Sequence, residues 1–417
     1  TMPLSAFATE DNAVTRWVGE TLETVRVSNI GAGPAGRLYA MSTVAMYDAV
    51  NGIDRASNTG PRRDHALVPP DGARNNSDRE VAAAAAAHAV LTGMFPAQAG
   101  RLDDALQQEI LLSSNNHGRV QRGLDWGQIV GQQVLELRAN DGSGPEIFEG
   151  SDDVGRFPND WNGGLRNMVP FGINDPSAYI SAEGPPALDS NEYAVAVYRS
   201  LIMGAPDGNP DNDAVAAFWR YGSNSIRETG GWFPAALEIA RQEGTTQSIS
   251  DTARLFALLG MATADSVIVT WNEKALHLTW RPFHAIRRAN EDGNPLTDQF
   301  WDPNWVSRFG QVGGSPEWTS GQSSFAGAGP GVISAFYCRD NIAFSFNAGN
   351  VDEPRSYNAL SEAGAEAVQS RILQGNHFEF SNSDARSDGQ NIADEIVRNH
   401  LQRLDNKPAV VEYCPQF

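Results

Sequence analysis

The chain has 417 residues, 41% of them hydrophobic, with a net charge of −20 and a pI near 4.7. That apolar share can bury a sizeable core, and the length allows one large domain or two. The negative charge argues against nucleic acid and anionic membranes as partners, because like charges repel. No run reaches the roughly 18 apolar residues of a membrane span. The opening TMPLSAFATEDNAVTRW lacks the basic-then-apolar order of a signal peptide, so the expectation is a soluble chain, with export open if a leader has been removed.

Basic residues are almost all arginine; the lysines are Lys274 and Lys407. An acidic, lysine-poor surface fits a salt-rich habitat and a GC-rich genome equally well. Any anion site here must be locally basic against the overall field. Cys338 and Cys414 allow either one disulfide or two free thiols. The histidines are scattered, and no zinc spacing, HExxH or EF-hand pattern is present.

Helical patterns dominate from the start. Residues 10–30 and 34–51 read as helices, and Ser77-Asp78-Arg79-Glu80 reads as a capping box opening an alanine-rich helix over 78–94. Helices are then expected over 98–113, 118–139, 190–204, 211–221, 231–243 and 250–277, followed by 331–338, 355–373 and 386–403. Strand-like alternation is confined to 24–30 and to 267–271, and the second lies inside a longer 3.6-residue period. Long Gly/Pro/Asn/Asp-rich stretches at 54–76, 141–188 and 291–319 read as loops. Loops of such length in a helical protein are usually functional or wrap the surface. The expected fold is all-α, helical bundles joined by long loops. An N-terminal half over 1–230 and a C-terminal half over 231–417 would form one compact unit.

Gly31-Ala32-Gly33-Pro34-Ala35-Gly36 fits GxGxxG, but no βαβ series follows it. The plainer reading is a turn whose glycines let helices pack closely. Three clusters further on carry more chemistry. In Trp271-Asn-Glu-Lys274-Ala-Leu-His277-Leu-Thr-Trp280-Arg281-Pro282, Lys274 and Arg281 are seven apart and share a helical face, with Trp271 one turn before Lys274. Pro282 disfavours helix at Arg281, which places Arg281 just past the helix end. In Pro316-Glu-Trp-Thr-Ser320-Gly321-Gln322, Ser320 is an N-cap candidate, and free N–H groups at a helix start bind oxyanions. Pro330 downstream makes a second helix start plausible. In Ser370-Arg371-Ile-Leu-Gln-Gly375-Asn-His377, Arg371 ends a helix, Gly375 is its positive-φ C′ residue, and the turn presents His377. Taken singly, the clusters read as a solvated basic pair, a capped helix and a structural histidine.

Together, Lys-x6-Arg-Pro, then Ser-Gly, then Arg-x3-Gly-x-His resembles the vanadium-dependent haloperoxidase and type 2 phosphatidic acid phosphatase superfamily. Residues 36–52, 210–232 with Phe218-Trp219, and Trp280-Arg281-Pro282-Phe-His-Ala-Ile-Arg287 resemble its bacterial haloperoxidase branch. The resemblance implies that Lys274, Arg281 and Arg371 bind the equatorial oxygens of vanadate or phosphate. Ser320 Oγ and the Gly321 N–H would donate to the same oxygens. The His377 ring would bond to vanadium, or attack phosphorus in a phosphatase, and Trp271 would wall the pocket. Hydrogen peroxide, a halide and a small organic molecule are the implied partners, and a homodimer is implied as well.

Two positions depart from the family pattern. Its Ser-Gly-His motif is Ser320-Gly321-Gln322 here, and glutamine has no pKa near neutrality with which to move a proton. His284 and His277 are the candidates to take over that role. Ser381 stands where the phosphatases of the family carry an aspartate, which weakens the phosphatase reading. The expectation is halide oxidation, with bromide or iodide easier than chloride. The alternatives are a phosphomonoesterase acting through phospho-His377 and a non-redox homologue that binds phosphate or acts on a small organic substrate.

Overall fold

The computed structural model describes residues 11–57, 61–181 and 183–404. Helix α1 (Ala13–Ser28) starts where Asn12 Oδ1 accepts the Thr15 N–H at 3.2 Å and stops at left-handed Asn29. It is followed by α2 (Ala32–Ser57), α3 (Arg79–Met94), α4 (Ala99–Leu112) and α5 (His117–Leu137). After a long loop come α6 (Asn191–Met203), α7 (Pro210–Phe218), α8 (Arg227–Gly230), α9 (Phe233–Gln242) and α10 (Ile249–His277). The remaining helices are α11 (Pro282–Arg287), α12 (Gly321–Tyr337), α13 (Leu360–Leu373) and α14 (Glu379–Asn399). Strand pairing among the described residues is limited to two antiparallel ribbons. One joins β1 (Ile147–Phe148) to β2 (Trp161–Asn162), the other β3 (Phe344–Phe346) to β4 (Arg355–Tyr357).

The central element is α10, apolar on every side and long enough to cross a bilayer, yet its whole apolar window is buried by protein. One hydrophobic core runs from Ala13 to Leu401 and draws on both sides of residue 230. Small residues set the closest helix contacts. The alanines at 82–87 are fully buried, and a Cβ at Gly127 of α5 would lie 2.7 Å from Ala85 Cβ. A Cβ at Gly331 of α12 would lie 2.8 Å from Ala393 Cβ of α14. Such spacing leaves no room for a methyl group.

Several expectations are corrected. Residues 24–28 continue α1, as the helix expected over 10–30 requires, and their strand-like alternation is not a strand, so the dinucleotide context before Gly31 fails locally as well. Gly33 instead brings α2 against Trp271, whose Cζ2 would lie 3.0 Å from an added Cβ. The α3 cap is Asp78, which accepts the Val81 N–H at 3.3 Å, rather than a Ser77 box. Glu80 is drawn off to the Ala13 N–H at 2.5 Å. Residues 355–357 form β4 because Arg355 and Tyr357 both reach Glu366, and α13 starts only at Leu360. Pro330 neither starts nor ends a helix; it lies inside α12. Cys338 ends that helix and takes part in a disulfide, while Cys414 lies outside the described residues.

Two buried carboxylates fasten the long loops to the central helices. Asp48 of α2 accepts the backbone N–H groups of Ala66, Leu67 and Val68 at 2.7–2.9 Å. Asp265 of α10 does the same for Phe171, Gly172 and Ile173, again at 2.7–2.9 Å. Burial pushes both carboxyls up to about 6, against the pull of those donors. Each unsatisfied buried donor costs on the order of 1 kcal/mol or more. Asp265→Ala is therefore expected to lower stability by about 3 kcal/mol, read as a shift of the urea midpoint at unchanged slope.

Candidate active site

The three sequence clusters converge on one cavity of about 140 Å³. That is the space of roughly five liquid waters, which suits a five-atom tetrahedral oxyanion. Trp271, Lys274, Arg281, Gly321, Gln322, Arg371 and His377 line it. Each reaches it for a local reason. Lys274 and Trp271 stand on the last turns of α10, which stops at left-handed Leu278. The extended residues 279–281 then run between two loops. Trp280 N–H donates to Gly155 O at 3.0 Å and Glu317 N–H to Thr279 O at 2.9 Å. Pro282 opens α11, so Arg281 becomes its N-cap with extended backbone.

Gly321 is the first residue of α12, and the opening N–H groups of a helix have no partner within it. Arg371 lies in the last turn of α13, and the chain turns at Gly375 with φ 69°. Buried Arg308 holds that turn. Its Nε donates to Leu373 O at 2.7 Å and its Nη2 to Met203 O at 2.9 Å, while Asp207 and Asp213 neutralise it.

Three basic side chains meet at the cavity, and their hydrogen bonds go to backbone carbonyls and neutral side chains. Lys274 Nζ donates to the carbonyls of Pro316 at 2.5 Å and Glu317 at 3.1 Å. Arg281 donates to Ser315 O at 2.8 Å, Asn376 O at 2.9 Å and Ser315 Oγ at 3.0 Å. Arg371 Nη1 donates to Gln374 Oε1 at 2.7 Å, and its buried Nε has no partner. None of the three lies within salt-bridge distance of a carboxylate among the described residues. Burial lowers the Lys274 ammonium well below its usual range and brings both guanidiniums down to about 10. Glu317 and Glu228 offset this charge only in part, since burial still lowers all three groups, and a bound anion would offset more of the desolvation cost.

His377 is 3% exposed and sits among these cations, and burial holds its imidazole well below its usual range. Its Nε2 lies 2.7 Å from Arg281 Nη1, and its Nδ1 lies 2.8 Å from Glu317 Oε1. Glu317 is 1% exposed, and burial pushes its carboxyl up to about 7 against Arg281 and Lys274. Sequence reasoning passed over this glutamate. The signal was there, because an acid three residues before the Ser-Gly pair sits inside the motif, but spacing alone does not aim it at a histidine sixty residues on.

The other singled-out residues lie differently. Ser320 caps α12 without accepting a helix N–H; its Oγ donates to the Ser323 hydroxyl at 3.0 Å, and the residue is not part of the cavity lining. Gln322 Nε2 donates to Trp219 O at 2.9 Å, leaving its buried Oε1 without a partner. His284 is outside the lining. Its Nδ1 accepts the Arg281 N–H at 3.3 Å, and burial brings it down to about 4. His277 points away, edge-on to Trp318 and 3.7 Å from Glu273. Glu228 of α8, unremarked in the sequence, stands at the cavity.

Residues 254–406, which hold every cavity residue of the three clusters, match the family model of the VCPO second helical-bundle domain. Vanadium chloroperoxidase of Curvularia inaequalis is 29% identical over 182 residues, 37% of this chain and 29% of that protein. In sequence, residues 254–406 are similar to the vanadium haloperoxidase family. The likeness of fold extends far beyond the matched segment. The first bacterial vanadium-dependent iodoperoxidase structure superposes with a TM-score of 0.76 at 22% identity, over 95% of this chain and 98% of that one. A holo-type bacterial vanadium-dependent chloroperoxidase gives 0.65 at 15% identity, over 88% and 92%. The chain spans under a third of the curated relative's length, whereas it spans nearly all of the bacterial haloperoxidase structures.

Proposed function

We propose that this protein oxidises iodide or bromide with hydrogen peroxide, using vanadate held in the cavity at His377. The observation that carries the reading is the set of three buried, unpaired cations around a histidine nitrogen in a cavity of oxyanion size. The orphaned Arg371 Nε and the first N–H groups of α12 are donors that such a ligand would satisfy. Bound vanadate supplies Lewis-acid activation of peroxide toward a halide.

The chain's own residues do the rest. Lys274, Arg281 and Arg371 neutralise the anion, and the arginine forks suit its tetrahedral face. Arg281 Nη1, now 2.7 Å from His377 Nε2, would donate to an oxygen of the held anion instead, leaving that ring nitrogen to hold the group. Gln322 Oε1 is an acceptor for a hydroxyl proton on the ligand, but the amide neither takes nor gives that proton. Proton handling at this position is therefore left to solvent, which favours the more easily oxidised halides. An organic acceptor would react with the oxidised halogen species.

The test is triiodide or tribromide formation after loading with orthovanadate and peroxide. Activity in the wild type, lost by at least about 10³-fold in His377→Ala, is expected. Absence of halide oxidation by vanadate-loaded protein would remove the reading. A second reading, a phosphomonoesterase, is favoured by one observation. Glu317 places a carboxylate on His377, which the serine at 381 had argued against. Turnover of an aryl phosphate, abolished by the same His377→Ala change, would support it.

A further inference from the structure

We infer that Glu317 is a positioning residue, which fixes His377 in its Nδ1–H tautomer and so reserves Nε2 for the central atom of a bound oxyanion. The inference rests on the reading above only in its use of vanadate as a probe.

The two edges of the ring carry independent evidence. A guanidinium can only donate, so Arg281 Nη1 at 2.7 Å makes Nε2 an acceptor. The proton of the neutral ring is then on Nδ1, 2.8 Å from Glu317 Oε1. The same Oε1 accepts the backbone N–H of Phe378 at 3.0 Å. One oxygen thus ties down both the ring and the chain that carries it.

Glu317 is itself held on both sides. Its N–H donates to Thr279 O at 2.9 Å, and its carbonyl accepts from Lys274 Nζ at 3.1 Å. The next residue, Trp318, is anchored through its indole N–H to Glu273 Oε2 at 2.7 Å. Both members of the pair are almost completely buried, so no bulk water stands ready to replace the carboxylate. Ser381 does not compete. Its hydroxyl is 3.5 Å from the Glu317 carbonyl and is not bonded to the histidine. The orienting carboxylate therefore comes from the loop before α12 and not from α14.

The contact has two separable consequences. As a hydrogen-bond acceptor, Glu317 sets the tautomer and raises the basicity of Nε2. Loss of such an outer partner typically weakens a bonded metal centre by about 10–100-fold. As a negative charge beside Arg281 and Lys274, it opposes every anion that enters. Removing the charge therefore helps an anion that only hydrogen-bonds, and removing the acceptor harms one that bonds to Nε2.

Two variants divide these effects. Glu317→Gln keeps an acceptor oxygen and loses the charge. Glu317→Met keeps the length and loses both. Equilibrium titrations with orthovanadate and with inorganic phosphate are measured at one pH on the metal-free protein. In Glu317→Met, vanadate is expected to bind about 10–100-fold more weakly while phosphate binds as tightly as in the wild type or more so. Glu317→Gln is expected to recover most of the vanadate affinity. Equal weakening of both anions in Glu317→Met, or no recovery in Glu317→Gln, would overturn the inference. Long-range ¹⁵N–¹H correlation spectra of histidine-labelled wild type provide an arm free of any variant at 317. The His377 signal, assigned by its loss in His377→Ala, should show Nδ1 protonated, and an Nε2–H pattern would overturn the inference equally. Wild type that binds phosphate but not vanadate would defeat the haloperoxidase reading and leave the spectroscopic arm to decide this one.

Discussion

If the protein oxidises halide as proposed, Gln322→His is expected to raise that rate by about 10²–10⁴-fold, the usual worth of a positioned general acid or base. Gln322 is 5% exposed and lines the cavity. Its Nε2 is committed to Trp219 O at 2.9 Å, which fixes the amide and leaves Oε1 without a partner. An imidazole can keep the Trp219 contact through one nitrogen and present the other to the ligand. The new group also brings a testable pH signature. Burial first, and then the charges of Arg281, Lys274 and Arg371, depress a histidine in this cavity, as they do His377. The acid form of the introduced imidazole is therefore present on the acid side and lost as pH rises through a value below the ordinary histidine range. The gain should be largest at low pH and fade upward, in a profile that the wild type lacks. Steady-state triiodide formation across pH measures both features. An unchanged rate in a variant that still binds vanadate would mean that proton transfer at this position is not what limits the enzyme.

The cavity residues were legible in the sequence because each sits at a helix end, where local rules are strong. Pro282 dictates extended backbone at Arg281, Gly375 supplies the positive-φ turn before His377, and Gly321 opens α12. Order and spacing of these ends then carried the family resemblance. What was not legible depends on contacts between segments distant in the chain. Glu317 meets His377 only because residues 279–281 hold the 315–318 loop against the turn after α13. Ser320 looked like a donor to the anion, but Ser323 and Asn382 draw its hydroxyl into a chain of hydrogen bonds behind the helix start. The two alternative histidines failed to enter the cavity for similar reasons, since backbone at Arg281 and the ring of Trp318 claim them.

Element types were readable for the long amphipathic helices and less so where a pairing partner decides. The run 24–28 alternates like a strand but is the last turn of α1, closed by the Asn29 N–H on Val25 O. Residues 355–357 had a helical continuation in the sequence, yet β3 and Glu366 capture them. Asp48 and Asp265 could be placed on helices from the sequence, but not matched to the loops they fasten. Those loops are held by backbone N–H groups, which any residue type supplies.

Arg371→Met is expected to invert the stability order of variant and wild type according to whether phosphate is present. In the unliganded protein, Arg371 is a buried cation with one side-chain hydrogen bond and an unpartnered Nε. No carboxylate among the described residues lies within ion-pair distance of it, and burial brings it down to about 10. Methionine has similar length, adapts to irregular space and carries no charge to desolvate. Its partner Gln374 Oε1 keeps the Asn376 Nδ2 contact at 3.2 Å, so no acceptor is orphaned by the change. The variant should thus be more stable without ligand, by on the order of 1–2 kcal/mol, as when buried charges give way to apolar side chains. Anion affinity should move the other way. A charge-assisted hydrogen bond is worth about 1.5–3 kcal/mol, or roughly 10–150-fold. At phosphate a hundredfold above the wild-type dissociation constant, the wild type gains about 2.7 kcal/mol, while the variant, with its weakened site, gains about 0.3–1.4 kcal/mol. Chemical denaturation of both proteins with and without phosphate gives all four stabilities. A variant that is less stable when unliganded would show that Arg371 holds the fold together, not the ligand. A phosphate shift that survives intact would remove it from the anion cradle. The inversion follows from a buried guanidinium that has no direct carboxylate partner among the described residues, because the charge that binds the anion is a desolvation cost in its absence.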